Sequence, residues 1–238
     1  MFSSQAALPT GGCFFVEQTH GVVSLPAESS TYLRTTGDQA LDRAVNEMLF
    51  RAARTFSLDR TQYPTFRFLP PGARGGDGYA NGSIVLEPGT KGLVALSVTL
   101  LAASGFDDEN RLLFEVILGH EFAHIYQVRN AYIEQLLVAA NGGGKFVELH
   151  ADYLAGWFIS KKSDSGFGFG PGIALPTLRR AAETLFARGD NNVGQPGHHG
   201  TRSERFAATL QGYLDGDRSD YANGAAENGI SYLRGLIK

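Results

Sequence analysis

The sequence predicts an α+β domain, mostly helical, organised around a small sheet. Three observations carry that prediction. Apolar residues recur at helical spacing in several separate segments. Short β-prone runs bounded by proline and glycine fall between residues 65 and 86. One long segment, carrying Leu112, Leu113, Val116, Ile117, Phe122, Ala123 and Ile125, is apolar nearly all round, the pattern of a buried helix. At 238 residues the chain suits one domain, or one domain with an extension, and can bury a sizeable core without cross-links. The expected division is an N-terminal arm or edge hairpin over residues 1–37 and a single domain over 38–238.

In residues 1–37, Phe14-Phe15-Val16 and Val22-Val23 are β-prone, but Gly, Ser, Thr and Pro interrupt them. Asp38 is the expected N-cap of a helix in which Leu41, Val45, Met48, Leu49, Ala52 and Phe56 form the core stripe. Thr65–Leu69 reads as a strand stopped by Pro70-Pro71-Gly72. Tyr79–Leu86 reads as a second strand after Gly75-Gly76-Asp77-Gly78. Leu93–Ala103 is expected to be a helix packed behind them. Asp107 or Asp108 then caps a long helix running to about Ala140, where Asn141-Gly142-Gly143-Gly144 permits the left-handed backbone that ends helices. Further helices are expected at 146–160, 176–188, 201–214 and 222–236. In the third of these, Thr201 and Glu204 hold the capping-box positions. Gly166–Gly172 has no strand before it and no lysine after it, so it reads as a flexible rim loop rather than a phosphate loop.

Charge and composition exclude several classes. Net charge is −3, from 24 acidic against 21 basic side chains, with no basic block to suggest nucleic acid or an anionic membrane as a partner. Cys13 is the only cysteine, so no disulfide framework is possible within the chain. A buried or inert thiol is the expectation there, with masking of a metal by a thiolate pro-segment as the alternative. Pro9-Thr10-Gly11-Gly12-Cys13 lacks the basic start and apolar run of a signal peptide, which leaves the compartment open, favouring a soluble, cytoplasmic protein with an exported one as the alternative. The most apolar stretch, Leu93–Ala103, is about half the length of a membrane span.

The long helix carries Gly119-His120-Glu121-Phe122-Ala123-His124. Helix residues four apart are rotated by only ~40° and separated by ~6 Å along the axis, so both imidazoles lie on one face. They can converge on one metal ion at ~2.0–2.1 Å, with Glu121 beside it as a base for an activated water. Two histidines and a glutamate in a core would otherwise be costly polar groups. The expectation is a zinc-dependent peptidase. A catalytic zinc takes three protein ligands and keeps an open position. The metzincin extension is excluded, because Gln127 and Asn130 stand where it needs glycine and histidine, and no methionine follows. Glu148-Leu149-His150-Ala151-Asp152 supplies the next candidates. Glu148 and Asp152 share a helix face while His150 points elsewhere. Glu148 from a second, antiparallel helix completes a His2Glu set, and Asp152 suits orienting His120 or His124 through its other ring nitrogen. Small Ala151 and Ala155 would let the helices approach. His198 and His199, just before Thr201, are either loop histidines or an imidazole at the mouth of the site able to stabilise an oxyanion.

The ordered set H-E-F-A-H (120–124), E-L-H-A-D-Y-L-A-G (148–156) and H-G-T-R-S-E-R (199–205) resembles the bacterial neutral zinc metallopeptidases. More distantly it is similar to the gluzincin families of CAAX prenyl proteases and heat-shock membrane proteases. Gly78-Tyr79-Ala80-Asn81-Gly82, followed by Ile84-Val85-Leu86, resembles their substrate-side edge strand. The resemblance covers roughly residues 40–215. It implies a zincin-like fold with the active-site helix against a small sheet, and zinc on His120, His124 and Glu148. It further implies Glu121 as general base, Asp152 behind a ligand, and His199 facing the reacting carbonyl with Arg205 holding its loop. Ala80 and Asn81 would offer backbone to an extended peptide or protein substrate. The chain departs from the neutral metallopeptidases at Tyr153, where they usually have cysteine, and it lacks the membrane segments such families commonly carry. Two alternatives stand beside a metalloendopeptidase. One is a zinc hydrolase of a small amide or one dedicated partner. The other is a non-catalytic zinc module closed by His150 or His198 as a fourth ligand.

Overall fold

The computed structural model describes residues 13–15, 32–58, 61, 63–72, 78–102, 108–139, 144–161, 175–186 and 199–236. Asn141–Gly143, Gly166–Gly172, Asp107 and His198 lie outside them. The described chain is α+β and mostly helical. Its elements are β1 (Cys13–Phe15), α1 (Gln39–Thr55), β2 (Thr65–Leu69), β3 (Gly78–Asn81), β4 (Leu93–Ser97) and α2 (Thr99–Ala102), then α3 (Asp108–Arg129), α4 (Tyr132–Ala139), α5 (Lys145–Ser160), α6 (Leu175–Phe186), α7 (Arg202–Leu214) and α8 (Ala222–Leu236). The strands form one sheet in the order β1-β3-β4-β2, with β2 parallel to β4, β3 antiparallel to β4, and β1 parallel to β3.

Several helices begin where local chemistry dictates. Asp38 caps α1, its carboxylate accepting from the amides of Ala40 (2.8 Å) and Leu41 (3.1 Å). At α7 the Thr201–Glu204 capping box is complete in both directions. Three expectations need correction. Leu93–Ser97 is a buried strand rather than part of a helix, and only Thr99–Ala102 is helical. A short apolar run does not reveal its own period, and pairing on both sides decides it here. The strand begun at Gly78 stops at Asn81, whose side-chain oxygen accepts from the amides of Ser83 (2.8 Å) and Ile84 (3.0 Å) and turns the chain. The long helix ends at Arg129, where Ala131 takes a left-handed backbone (φ 57°) before α4 begins. Ahead of α1, Tyr32 is buried and Leu33 pairs with Phe68.

Among the described residues no helix is long and apolar enough to cross a membrane. The core lies where α3 and α5 meet, with every residue of α5 from Val147 to Ser160 buried. Phe56, at the end of α1, closes it by packing on Phe122, Tyr126, Trp157 and Phe158. The sheet covers the other side of α3, and α7 crosses α5 backbone to backbone. A Cβ on Gly156 would stand 1.9 Å from the Thr209 carbonyl oxygen, and one on Gly212 1.8 Å from that of Tyr153. Only glycine permits that crossing, which carries α7's first turn over the middle of α5.

Candidate metal centre

Contacts between α3 and α5 run in opposite order along the two helices: Gln127 with Val147, His124 with Glu148, His120 with Asp152, and Gly119 with Ala155. The helices are therefore antiparallel. A Cβ on Gly119 would stand 2.7 Å from the Phe158 ring and 3.3 Å from Ala155 Cα, so small residues on both helices set their spacing.

This approach brings three ligand atoms together in a dry pocket. His120 Nε2 and His124 Nε2 are 3.0 Å apart. Glu148 Oε2 lies 3.3 Å from His120 Nε2, and Oε1 lies 3.5 Å from His124 Nε2. A tetrahedral ion with bonds of ~2.0–2.1 Å places its ligands roughly 3.3–3.4 Å apart. The observed triangle brackets that edge length, and these side chains form a group able to hold a metal ion. Both histidines are fully buried and Glu148 is 4 % exposed.

Each ligand is supported from behind, by different chemistry. His120 Nδ1 lies 2.8 Å from Asp152 Oδ1, at an angle outside ordinary hydrogen-bond geometry. Asp152 in turn accepts two hydrogen bonds from Arg205, at 2.7 and 2.9 Å, in a buried bidentate pair. His124 Nδ1 lies 2.8 Å from the side-chain oxygen of Gln127.

The titration behaviour follows. Burial pulls His120 down, but the carboxylates of Asp152 and Glu148 outweigh it and push its pKa up to about 9. Burial wins at His124, which falls to about 3, with the charge on His120 adding to the effect. For Glu148, burial acts upward, yet the imidazoles of His199, His124 and His120 hold it well below the usual carboxylate range. Burial also acts upward on Asp152, and Arg205 and His120 overcome it.

Two imidazoles and a carboxylate converging in a dry pocket supply the nitrogen and oxygen donors that a metal ion takes.

The other expected site residues fall as follows. Glu121 is fully buried with Oε1 facing the start of β3, 3.3 Å from where a Gly78 Cβ would sit. His199 is partly exposed at the mouth, its Nδ1 3.8 Å from Glu148 Oε2. Arg205 pairs with Asp152, comes within 3.8 Å of Glu148 Oε2, and passes its stem beneath Gly200. His150 faces away from the centre, between Gln127 and α8. Ala80 lies in the paired part of β3, and Asn81 closes that strand. In the register Cys13↔Gly78, Phe14↔Tyr79 and Phe15↔Ala80, β1 covers the side of β3 away from β4, and the Asn81 side chain is used in its own turn. The described part of the N-terminal segment, Cys13–Phe15, pairs parallel with β3. The Cys13 side chain lies outside what is described.

Sequence reasoning missed Gln127 and His150. The available signal was a polar residue three places after the second histidine, on a helix with no exposed face. The chain matches no protein-family model, no curated protein and no solved structure.

Proposed function

We propose that this chain is a zinc-dependent metalloendopeptidase of the gluzincin type, with a zincin-like fold and the neutral zinc metallopeptidases as its nearest resemblance. The observation carrying the reading is the buried triangle of His120 Nε2, His124 Nε2 and Glu148, with Glu121 one residue along the same helix. When bound, zinc would supply a Lewis acid that polarises water and the scissile carbonyl. Glu121 would accept the proton of the attacking water and deliver it to the leaving amine. His199, at the mouth, would donate to the developing oxyanion. Asp152 and Arg205 would hold His120 in place. The intact Glu121 favours this over a structural zinc module, which needs no base, and His150 is too committed elsewhere to close the coordination.

One observation favours a narrower second reading. With β1 lying along β3, the strand that would receive an extended substrate is already paired. That suits a hydrolase acting on one dedicated partner better than one open to any unfolded chain.

The test is zinc per chain by mass spectrometry for wild type, Glu121→Gln and Glu148→Ala, with casein cleavage alongside. The expected outcome is one zinc in wild type and Glu121→Gln, none in Glu148→Ala, and cleavage by wild type alone. Zinc retained by Glu148→Ala would remove the proposed third ligand. Zinc-loaded wild type inert on casein would favour the dedicated-partner reading.

A further inference from the structure

Behind His124 runs a buried chain of polar side chains that ends on the backbone of two other helices. Gln127 places its side-chain oxygen 2.8 Å from His124 Nδ1. Its Nε2 lies 2.9 Å from the Val147 carbonyl oxygen in α5 and 3.0 Å from His150 Nδ1. On the far side, His150 Nε2 lies 3.0 Å from the Ala226 carbonyl oxygen in α8. His124, Gln127 and His150 are all fully buried.

The position of every proton follows from the two carbonyls, which can only accept. Val147 requires the NH2 end of Gln127 on its side, so the amide oxygen faces His124 and His124 Nδ1 must carry the hydrogen. Ala226 requires a hydrogen on His150 Nε2, so His150 Nδ1 is the bare acceptor for the second amide hydrogen of Gln127. In this assignment each donor of the amide and its oxygen finds one partner. It leaves His124 Nε2 with a lone pair, turned toward His120 and Glu148.

We propose that Gln127 and His150 are positioning residues that lock His124 in its Nδ1–H tautomer and aim Nε2 at the metal, with α8 as the distal anchor. The purpose of this relay rests on the metal-centre reading; its proton assignment does not. A carboxamide suits the place because it fixes a tautomer without adding charge to a pocket that already holds three carboxylates. The helix α8 is shaped to the relay: a Cβ on Gly229 would stand 2.9 Å from His150 Cδ2, so glycine is what lets α8 lie on that ring.

The first test uses metal-free wild type and long-range 1H–15N NMR of the imidazoles. His124 should be protonated on Nδ1 and His150 on Nε2. A hydrogen on His124 Nε2, or a mixture of tautomers, would overturn the proposal. The second measures zinc dissociation constants by chelator competition. Gln127→Leu and His150→Leu should each weaken zinc binding by about 10–100-fold, the usual effect of removing a group behind a metal ligand. His150→Asn keeps an acceptor where Nδ1 stands and should restore affinity most of the way to wild type. Wild-type affinity in Gln127→Leu would overturn the relay. Absence of zinc binding by wild type would sink the metal-centre reading instead, and the NMR result would still judge the proton assignment.

Discussion

His120 and His124 sit one helical turn apart and face the same point, yet they are supported in opposite ways. Behind His120 stands an ion pair, Asp152 with Arg205, in which a full charge is buried and neutralised at 2.7 and 2.9 Å. Behind His124 stands a neutral chain, Gln127 and His150, that ends on backbone carbonyls. The charged support drives one imidazole up to about 9 and the neutral one leaves the other near 3, although burial acts on both alike. The lesson is that equal burial does not give equal basicity: Asp152 and Glu148 raise His120, and the charge on His120 adds to the burial that lowers His124.

The comparison is most severely tested by removing the guanidinium. Arg205→Leu leaves Asp152 buried with only His120 to offset its charge and should cost about 3 kcal/mol of stability, measured by urea unfolding of metal-free protein. A cost below ~1 kcal/mol would mean the charged support contributes little. Gln127→Leu removes neutral hydrogen bonds only and should cost about 1–3 kcal/mol in the same assay. A loss equal to that of Arg205→Leu would erase the distinction between the two supports.

A third test reads pH. The His120 pKa in the folded, metal-free protein is about 9, above its value near 6.5 in an unfolded chain. Its protonation therefore contributes stability that is fully present below about pH 6.5 and lost as pH rises through about 9. Metal-free wild type should lose stability across that window. Asp152→Asn, which keeps the shape and removes the charge, should show a flatter profile; an unchanged slope would mean Asp152 does not set the basicity of His120. Smallest is Thr201→Ala, which removes the cap of the helix that brings Arg205 to Asp152 and should cost about 1 kcal/mol. Glu204 in that box is held below its usual range: burial acts upward, and Lys145 and Thr201 outweigh it. The folded value being the lower one, the box stabilises α7 above the unfolded carboxylate range and its contribution is lost as pH falls through the folded value. A Thr201→Ala protein keeps the Lys145 and backbone contacts of Glu204 and should lose only part of that acid dependence.

Local periodicity made much of the centre legible. Spacing of four within one helix puts His120 beside His124, and the same spacing puts Glu148 beside Asp152, wherever those helices go. Caps at Asp38 and Thr201 were readable for the same reason, since a cap is a bargain between a side chain and its own next turn. Leu93–Ser97 was not readable, because its four consecutive apolar residues satisfy a buried strand and a buried helix equally. Nor was the covering of Ala80 by Phe15, a pairing across more than sixty residues that alternation along β3 cannot announce.

The sequence by itself determined which side chains share a helix face, and so which groups were available for a metal: that is a property of 3.6 residues per turn and needs no partner. Tertiary structure decided what stands behind each of them. Asp152 could have served either histidine, and the antiparallel crossing of α3 and α5 gave it to His120. Gln127 and His150 became a relay only when α8 closed over them. Gly156 and Gly212 acquired their meaning from each other, because the distance between two backbones is set by both chains at once and written in neither alone.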